Sequence, residues 1–266
     1  MFRVEWIRAL RRPRSYVLAG GLIALSVLLV VSVKLSGRSA GPGAPAFLSQ
    51  VLTNGFFVPL ASIAVLQPFF LPLGAGLLSG DSVAGEASAG TLRYLLVRPV
   101  GRVRLVLVKY GFVMFSLAFG LVVLMVAGLI GGGLAFGLGP LPSLSGTSLS
   151  TADALVRTVL AAGYVLAGVS GIAAIGMLAS VLVDSPVGAA IVPVAVAIVS
   201  EILDHLDSVH VIHPFLITHQ WLAFVDLFRS PVPTTDVVLG LLTFGVYTVV
   251  FLGLALWAFV RRDVAS

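Results

Sequence analysis

Six runs of the chain are rich in apolar side chains and nearly free of charge: Tyr16 to Val33, Phe56 to Leu78, Leu105 to Leu138, Val159 to Val183, Val187 to Ser200 and Val237 to Val260. A hydrocarbon core of about 30 Å needs roughly 20 apolar residues wound as a helix, so the pattern predicts six membrane-crossing helices. The third run is too long for a perpendicular span. It predicts tilt, an interfacial start, or an early end near Gly131, Gly132 and Gly133. The fifth is short and is bounded by Glu201. Phe215 to Phe228 is apolar too, but has only 14 residues and holds His219 and Asp226. It reads as re-entrant or interfacial, not spanning. At the start of the chain Phe2, Trp6, Ala9 and Leu10 share one helical face, with Arg8, Arg11 and Arg12 largely opposite. Residues 1–15 therefore read as a helix lying in the headgroup layer. A cleaved leader ending near Ala44-Pro45-Ala46 is the poorer reading, because its apolar run exceeds the usual 7–15 residues of such peptides.

Composition narrows the class. Of 266 residues 59% are hydrophobic and 10% charged, where a soluble domain carries about 25% charged, and the mean hydropathy is +1.12. That excludes an ordinary soluble enzyme, and the weakly alternating segments of about 10 residues that mark a β-barrel are absent. The expected fold is an all-α polytopic membrane protein forming one transmembrane domain over residues 1–266. The connections over 35–46, 139–153 and 204–236 are too small to fold separately. With no cysteine, disulfides, thiolate metal sites and a cysteine nucleophile are excluded together.

The net charge of +5 is informative through its distribution. Arg3, Arg8, Arg11, Arg12 and Arg14 precede the first span; Arg93, Arg98, Arg102, Arg104 and Lys109 lie at the second connection; Arg261 and Arg262 follow the last. Only Lys34, Arg38, Arg157 and Arg229 fall on the opposite side. Basic residues stay cytoplasmic, so both termini and the second connection are placed inside, and residues 204–236 outside. The basic balance thus reflects membrane orientation and gives no argument for a nucleic-acid partner.

The longest cytoplasmic connection, residues 79–104, is also the most structured in pattern. Asp81 and Glu86 come first; Thr91 after Gly90 is a plausible N-cap; Leu92, Leu95 and Leu96 follow at helical spacing; Arg98-Pro99 is a stop. A short, stiff amphipathic helix at the membrane surface suits a subunit pushed by a cytoplasmic motor, since a floppy loop would absorb the displacement. On the residues alone, a plain connecting loop carrying the positive-inside charges is the favoured reading.

The ordered set Gly80, Asp81, Ala84, Gly85, Glu86, Gly90, Thr91, Leu92, Arg93, Leu95, Leu96, Pro99, Arg102 and Lys109 resembles the signature of the type-2 ATP-binding-cassette (ABC) permease family. It departs from that pattern at Gly101, where a serine or similar residue is expected. The match is close over about 30 residues, and the layout extends it loosely to the whole chain. The resemblance implies an exporter subunit of the inner (cytoplasmic) membrane, partnered by two cytoplasmic ABC ATPase subunits and a second permease, identical or homologous. Asp81, Glu86, Gly90, Thr91, Arg93, Pro99 and Arg102 would form the ATPase-coupling segment, and short re-entrant helices would lie between spans five and six. ATP and Mg would be bound by the partner; no cofactor is expected in this chain.

Three further readings complete the picture. A phosphate-binding GxxxxGK[ST] loop requires Gly-Lys, yet the two lysines, Lys34 and Lys109, both follow valine, so the chain is not expected to be an enzyme of that kind. Glu201, Asp204, His205, Asp207, His210, His213 and His219 gather at the outer end of span five, with ligand types suited to zinc or copper, but read as a solvated or interfacial loop. Asn54, Gln67, Tyr164 and Ser170 are the intramembrane polar groups able to face a cavity; Pro59, Pro68 and Pro72 predict a kink in span two. The alternative function is an ATP-independent membrane carrier or channel, which should carry a paired ionisable group near the bilayer midplane; the acidic residues lie instead at span ends and in loops. An intramembrane enzyme would need its nucleophile or metal pair on facing spans.

Overall fold

The computed structural model describes residues 13–36, 54–90, 101–142, 144–146 and 148–261. The interfacial helix expected over 1–15 and the tail after Arg261 fall wholly or mostly outside that set. The described elements are α1 (Pro13–Ser36), α2 (Phe57–Leu66), α3 (Phe70–Ser88), α4 (Arg102–Phe136), α5 (Thr151–Leu182), α6 (Pro186–Asp204) and α7 (Thr235–Arg261). Two 3-10 helices, Asp207–Phe215 and Trp221–Phe228, separate α6 from α7. A two-residue antiparallel pair, β1 (Leu141–Pro142) with β2 (Ser148–Leu149), closes the α4–α5 connection, Leu141 facing Leu149.

Four of these helices, α4 to α7, are long and apolar enough to cross a membrane, and α2 with α3 makes a fifth if the bent pair is one span. Within α1 the apolar stretch is Gly20–Ser32. The chain is therefore an all-α polytopic membrane protein in its described part. The break predicted for span two is real: α2 and α3 meet at 64°. Its cause is Pro68 between Gln67 and Phe69, which offers no N–H to continue the ladder. Pro59 and Pro72 sit in the first turns of α2 and α3, where no such bond is lost. Span two also runs beyond Leu78, continuing as helix to Ser88.

The third run behaves differently from one of its expected outcomes. The glycine triplet does not end the helix, because α4 continues for 35 residues to Phe136 and stops at Gly137, φ +78°. Gly132 and Gly128 instead permit close approach to α2. A β-carbon at Gly132 would collide with the Gly55 carbonyl, and one at Gly128 would lie 2.9 Å from Pro59 Cα. In lipid, such backbone proximity supplies the packing that water-driven burial cannot. The small-residue pair is thus used within the chain.

Helix α5 is the hub, packed by α3, α4, α6, α7 and the second 3-10 helix. Of its most apolar stretch 72% is buried inside the protein, against 28% for α4 and α6 and 11% for α7. The others turn most of their apolar surface outward, as lipid-facing helices do. Ser150 caps α5 by accepting from Asp153 N at 3.1 Å, and Ser185 caps α6 from Gly188 N at 3.2 Å, with Pro186 in the first turn.

The polar groups expected to face a cavity serve as staples. Asn54 Nδ2 donates to Gly139 O and Pro140 O at 3.1 and 3.2 Å, while Asn54 Oδ1 accepts from Phe56 N. Tyr164 OH donates to Gln220 O at 2.7 Å, and Ser170 Oγ bonds Thr248 Oγ1 at 2.8 Å. Gln67 Nε2 donates to Trp221 O at 3.0 Å, so the break in span two is tied to the second 3-10 helix. Arg157 secures the same lobe through Nη1, which donates to Leu227 O at 2.6 Å and Arg229 O at 2.8 Å. Charged hydrogen bonds of this kind each contribute about 1.5–3 kcal/mol. Arg157→Ala is expected to loosen residues 221–231 selectively, seen as faster amide exchange there with little change in α5. Uniform exchange across both would reject that role.

Candidate coupling site

The resembling segment begins in the last turns of α3. Gly80, Asp81, Ala84, Gly85 and Glu86 are all helical, so this part is a rigid extension of span two. Ala89 ends the helix, and Gly90 takes φ +67°, the left-handed position that favours glycine after a helix C-terminus. Thr91, Arg93 and Pro99 lie outside the described residues, as does the short helix expected there. The chain is described again from Gly101, and Arg102 opens α4.

Across that gap the two helices are joined. Lys109, in the third turn of α4, places Nζ 2.7 Å from Glu86 Oε1 and donates to Ser82 O at 2.7 Å. The side chains are 9% and 20% exposed, so this is a largely desolvated ion pair with a backbone acceptor added. Such pairs fix geometry well, since removing one partner strands the other charge. Glu86 thus turns inward to brace the elbow. Asp81 is exposed and folds over Gly85, where any β-carbon would strike its carboxylate. Arg102 donates to Val260 O at 2.9 Å, near the end of α7, and Arg261 stacks on Trp257 with its guanidinium 4.3 Å from the ring centre.

A second brace comes from α5. Ser180 Oγ donates to Gly80 O at 2.7 Å and accepts from Val83 N at 3.0 Å and Ala84 N at 2.9 Å. A buried hydroxyl is thereby inserted into the backbone ladder of α3 where the segment starts. Close approach makes this possible. A β-carbon at Gly80 would sit 2.7 Å from Ala190 N of α6, and one at Gly176 would collide with Ser79 Oγ. Ala84, Ala179 and Ala189 complete the small-residue contact.

One end of the bundle therefore gathers the end of α3, the start of α4, the end of α5, the start of α6 and the end of α7. Asp81, Glu86, Gly90 and Arg102 are all at that end. Ser180 and the Glu86 to Lys109 pairing were missed by residue-level reading. The Gly176-x-x-x-Ser180 spacing is the available signal, as a small-residue pattern one helix can offer another.

Comparison with known proteins places similarity over part of the chain. It is 34% identical over 156 residues to the protein named "Probable ABC transporter permease protein NosY" of Stutzerimonas stutzeri, covering 55% of this chain and 53% of that one. A protein of the same name from Pseudomonas aeruginosa is 39% identical over 89 residues, or 34% of this chain and 31% of the relative. The matched stretches thus span about half the length of the first relative and about a third of the second. Nearly the whole chain, residues 21–265, matches one family model. The chain accordingly belongs to the family described as "Protein of unknown function (DUF2705)".

Proposed function

We propose that this chain is the membrane-spanning permease subunit of a type-2 ABC transporter, an exporter of the inner membrane. It works with two cytoplasmic ATPase subunits, which bind ATP and Mg, and with a second permease, identical or homologous. Six spans are formed by α1, the bent α2–α3 pair, α4, α5, α6 and α7. Both ends of the described chain lie on the cytoplasmic side, and the two 3-10 helices make a re-entrant pair outside. The chain performs no covalent chemistry of its own.

One observation carries the reading. The string that resembles the coupling signature starts on a helix end braced by Glu86 with Lys109 on one side and by Ser180 on the other. Displacement applied at the end of α3 or the start of α4 is then delivered to α3, α4 and α5 together. Partial similarity to two permeases supports the same reading. A carrier without a motor would be expected to hold ionisable groups mid-span, and the acidic residues of the described helices lie near helix ends.

The test is affinity purification of the tagged chain in mild detergent from its native host. An ATPase subunit is expected to accompany it, and to be lost when residues 80–102 are replaced by a Gly/Ser linker while membrane insertion persists. Purification of the intact chain repeatedly without any ATPase would overturn the proposal.

A further inference from the structure

At the opposite end of the bundle the fold collects three ligand-type side chains from separate places in the sequence. Asp204 is the last residue of α6, His213 lies in the first 3-10 helix, and His219 follows it in the turn before Trp221. His219 Nδ1 is 2.6 Å from Asp204 Oδ1 and His213 Nδ1 is 4.0 Å from the same oxygen. One ligand atom from each residue lies within 4.8 Å of the others. We propose that Asp204, His213 and His219 form a binding site for a borderline divalent cation of the Zn2+ class. The site secures the outer lobe and is independent of the proposed coupling to an ATPase.

The second sphere supports ligation. His213 Nε2 is 3.1 Å from Leu203 O and 3.3 Å from Leu206 O. A carbonyl oxygen can only accept, so Nε2 carries the proton. In the neutral ring this leaves the Nδ1 lone pair directed to the Asp204 side, as ligating imidazoles are commonly held. Leu203 O belongs to the last turn of α6, where the helix dipole favours a cation; without an ion His219 Nδ1 donates its proton to Asp204 Oδ1 at 2.6 Å, and a bound cation would take that proton's place.

The scaffold is built without help from the ion. Ser200 Oγ and Thr218 Oγ1 are 2.8 Å apart, both buried, and fix the residue beside His219. Tyr247 OH donates to Phe215 O at 3.0 Å and anchors the end of the 3-10 helix. Metal–ligand bonds of about 2.0–2.2 Å in a tetrahedron put ligand atoms roughly 3.3–3.6 Å apart. The 4.0 Å contact must therefore close slightly and the 2.6 Å contact open, both within side-chain adjustment. With Asp204, His213 and His219 at 18%, 15% and 32% exposure, a fourth position remains open to water. Two imidazoles and a carboxylate suit zinc-like ions and not soft thiolate-seeking ones.

The other histidines are excluded by position, since neither joins the group whose ligand atoms lie within 4.8 Å of one another. His205 Nδ1 is tied to Glu201 O at 2.8 Å. His210 Nδ1 faces Asp207 O at 3.3 Å. Neither approaches the three.

The test is calorimetric titration of Zn2+ into the purified, chelator-stripped full chain in detergent. One ion per chain is expected. His213→Ala and His219→Ala should each weaken binding by more than about 100-fold, beyond the 10–100-fold typical of an outer-sphere partner. The double variant His205→Ala/His210→Ala should bind as the parent does. The unaltered chain loaded with Co2+ gives a check free of folding artefacts, and is expected to show the intense visible absorption of a four-coordinate ion. Absence of Zn2+ binding, a Co2+ spectrum like that of the aqueous ion, or loss of binding in the His205/His210 variant but not the others would overturn the site.

Discussion

In the proposed transporter, Glu86→Arg is expected to abolish transport while the chain still inserts and the ATPase proposed as its partner still hydrolyses ATP. The substitution replaces the partner of Lys109, 2.7 Å away, by a like charge in a region where Lys109 is almost wholly shielded. Breaking a buried pair costs about 3–5 kcal/mol, enough to shift the elbow's preferred geometry by more than about 100-fold. Hydrolysis and substrate movement would then be measured in vesicles, side by side. Normal transport by the variant removes Glu86 from the coupling machinery. The exchange of charges, Glu86→Lys with Lys109→Glu, separates bracing from direct contact with a partner. If the pair acts by bracing, the swap restores much of the lost thermal stability and part of the transport. A swap as inactive as the single variant, though stable, would mean that the carboxylate itself is recognised at position 86.

The second large effect is a contrast within one helix. Gly80→Ala should destabilise the protein by about 1–3 kcal/mol, because its β-carbon would meet Ala190 N and Cα at 2.7 and 2.9 Å, and the backbone of α6 has little freedom to yield. Moving α3 away would also strain the bonds of Ser180 to Gly80, Val83 and Ala84. Gly74→Ala lies on the same helix with open space around it, and should be neutral or stabilise by up to about 1 kcal/mol, the usual helix penalty of glycine. Thermal unfolding of both variants in detergent reads the sign. Equal effects at the two positions would show that the approach of α3 to α6 carries no special weight.

Much of the architecture was legible in the pattern of residues. Five of the six apolar runs coincide with α4 to α7 and the bent α2–α3 pair, which are long and apolar enough to cross, because in lipid a crossing must satisfy its own backbone and so declares itself by length and hydropathy; the first run falls on α1, whose described apolar stretch is only Gly20–Ser32. The break at Pro68 was legible for an equally local reason, a missing N–H. Phe215 to Phe228 was marked as too short and too polar to cross, and it forms a turn and a 3-10 helix. The glycine triplet in α4 was less informative. Whether glycine ends a helix or admits a neighbour depends on what lies opposite, here Gly55 and Pro59, more than 65 positions earlier.

The candidate site divides in the same way. The order of residues from Gly80 to Arg102 is a property of the string and could be read from it, as could the charge asymmetry on which its proposed cytoplasmic placement rests. What the sequence by itself determined was thus the membrane class, most of the helical runs, and the string on which the proposed coupling rests. Only the tertiary structure decided that Glu86 turns inward to Lys109, that Ser180 enters the ladder of α3 a hundred positions away, and that Asp204, His213 and His219 converge while His205 and His210 do not. The physical reason is range. Hydropathy, caps and prolines act within one turn of their own helix, whereas ion pairs, inserted hydroxyls and ligand clusters exist only once two helices have approached to within bonding distance.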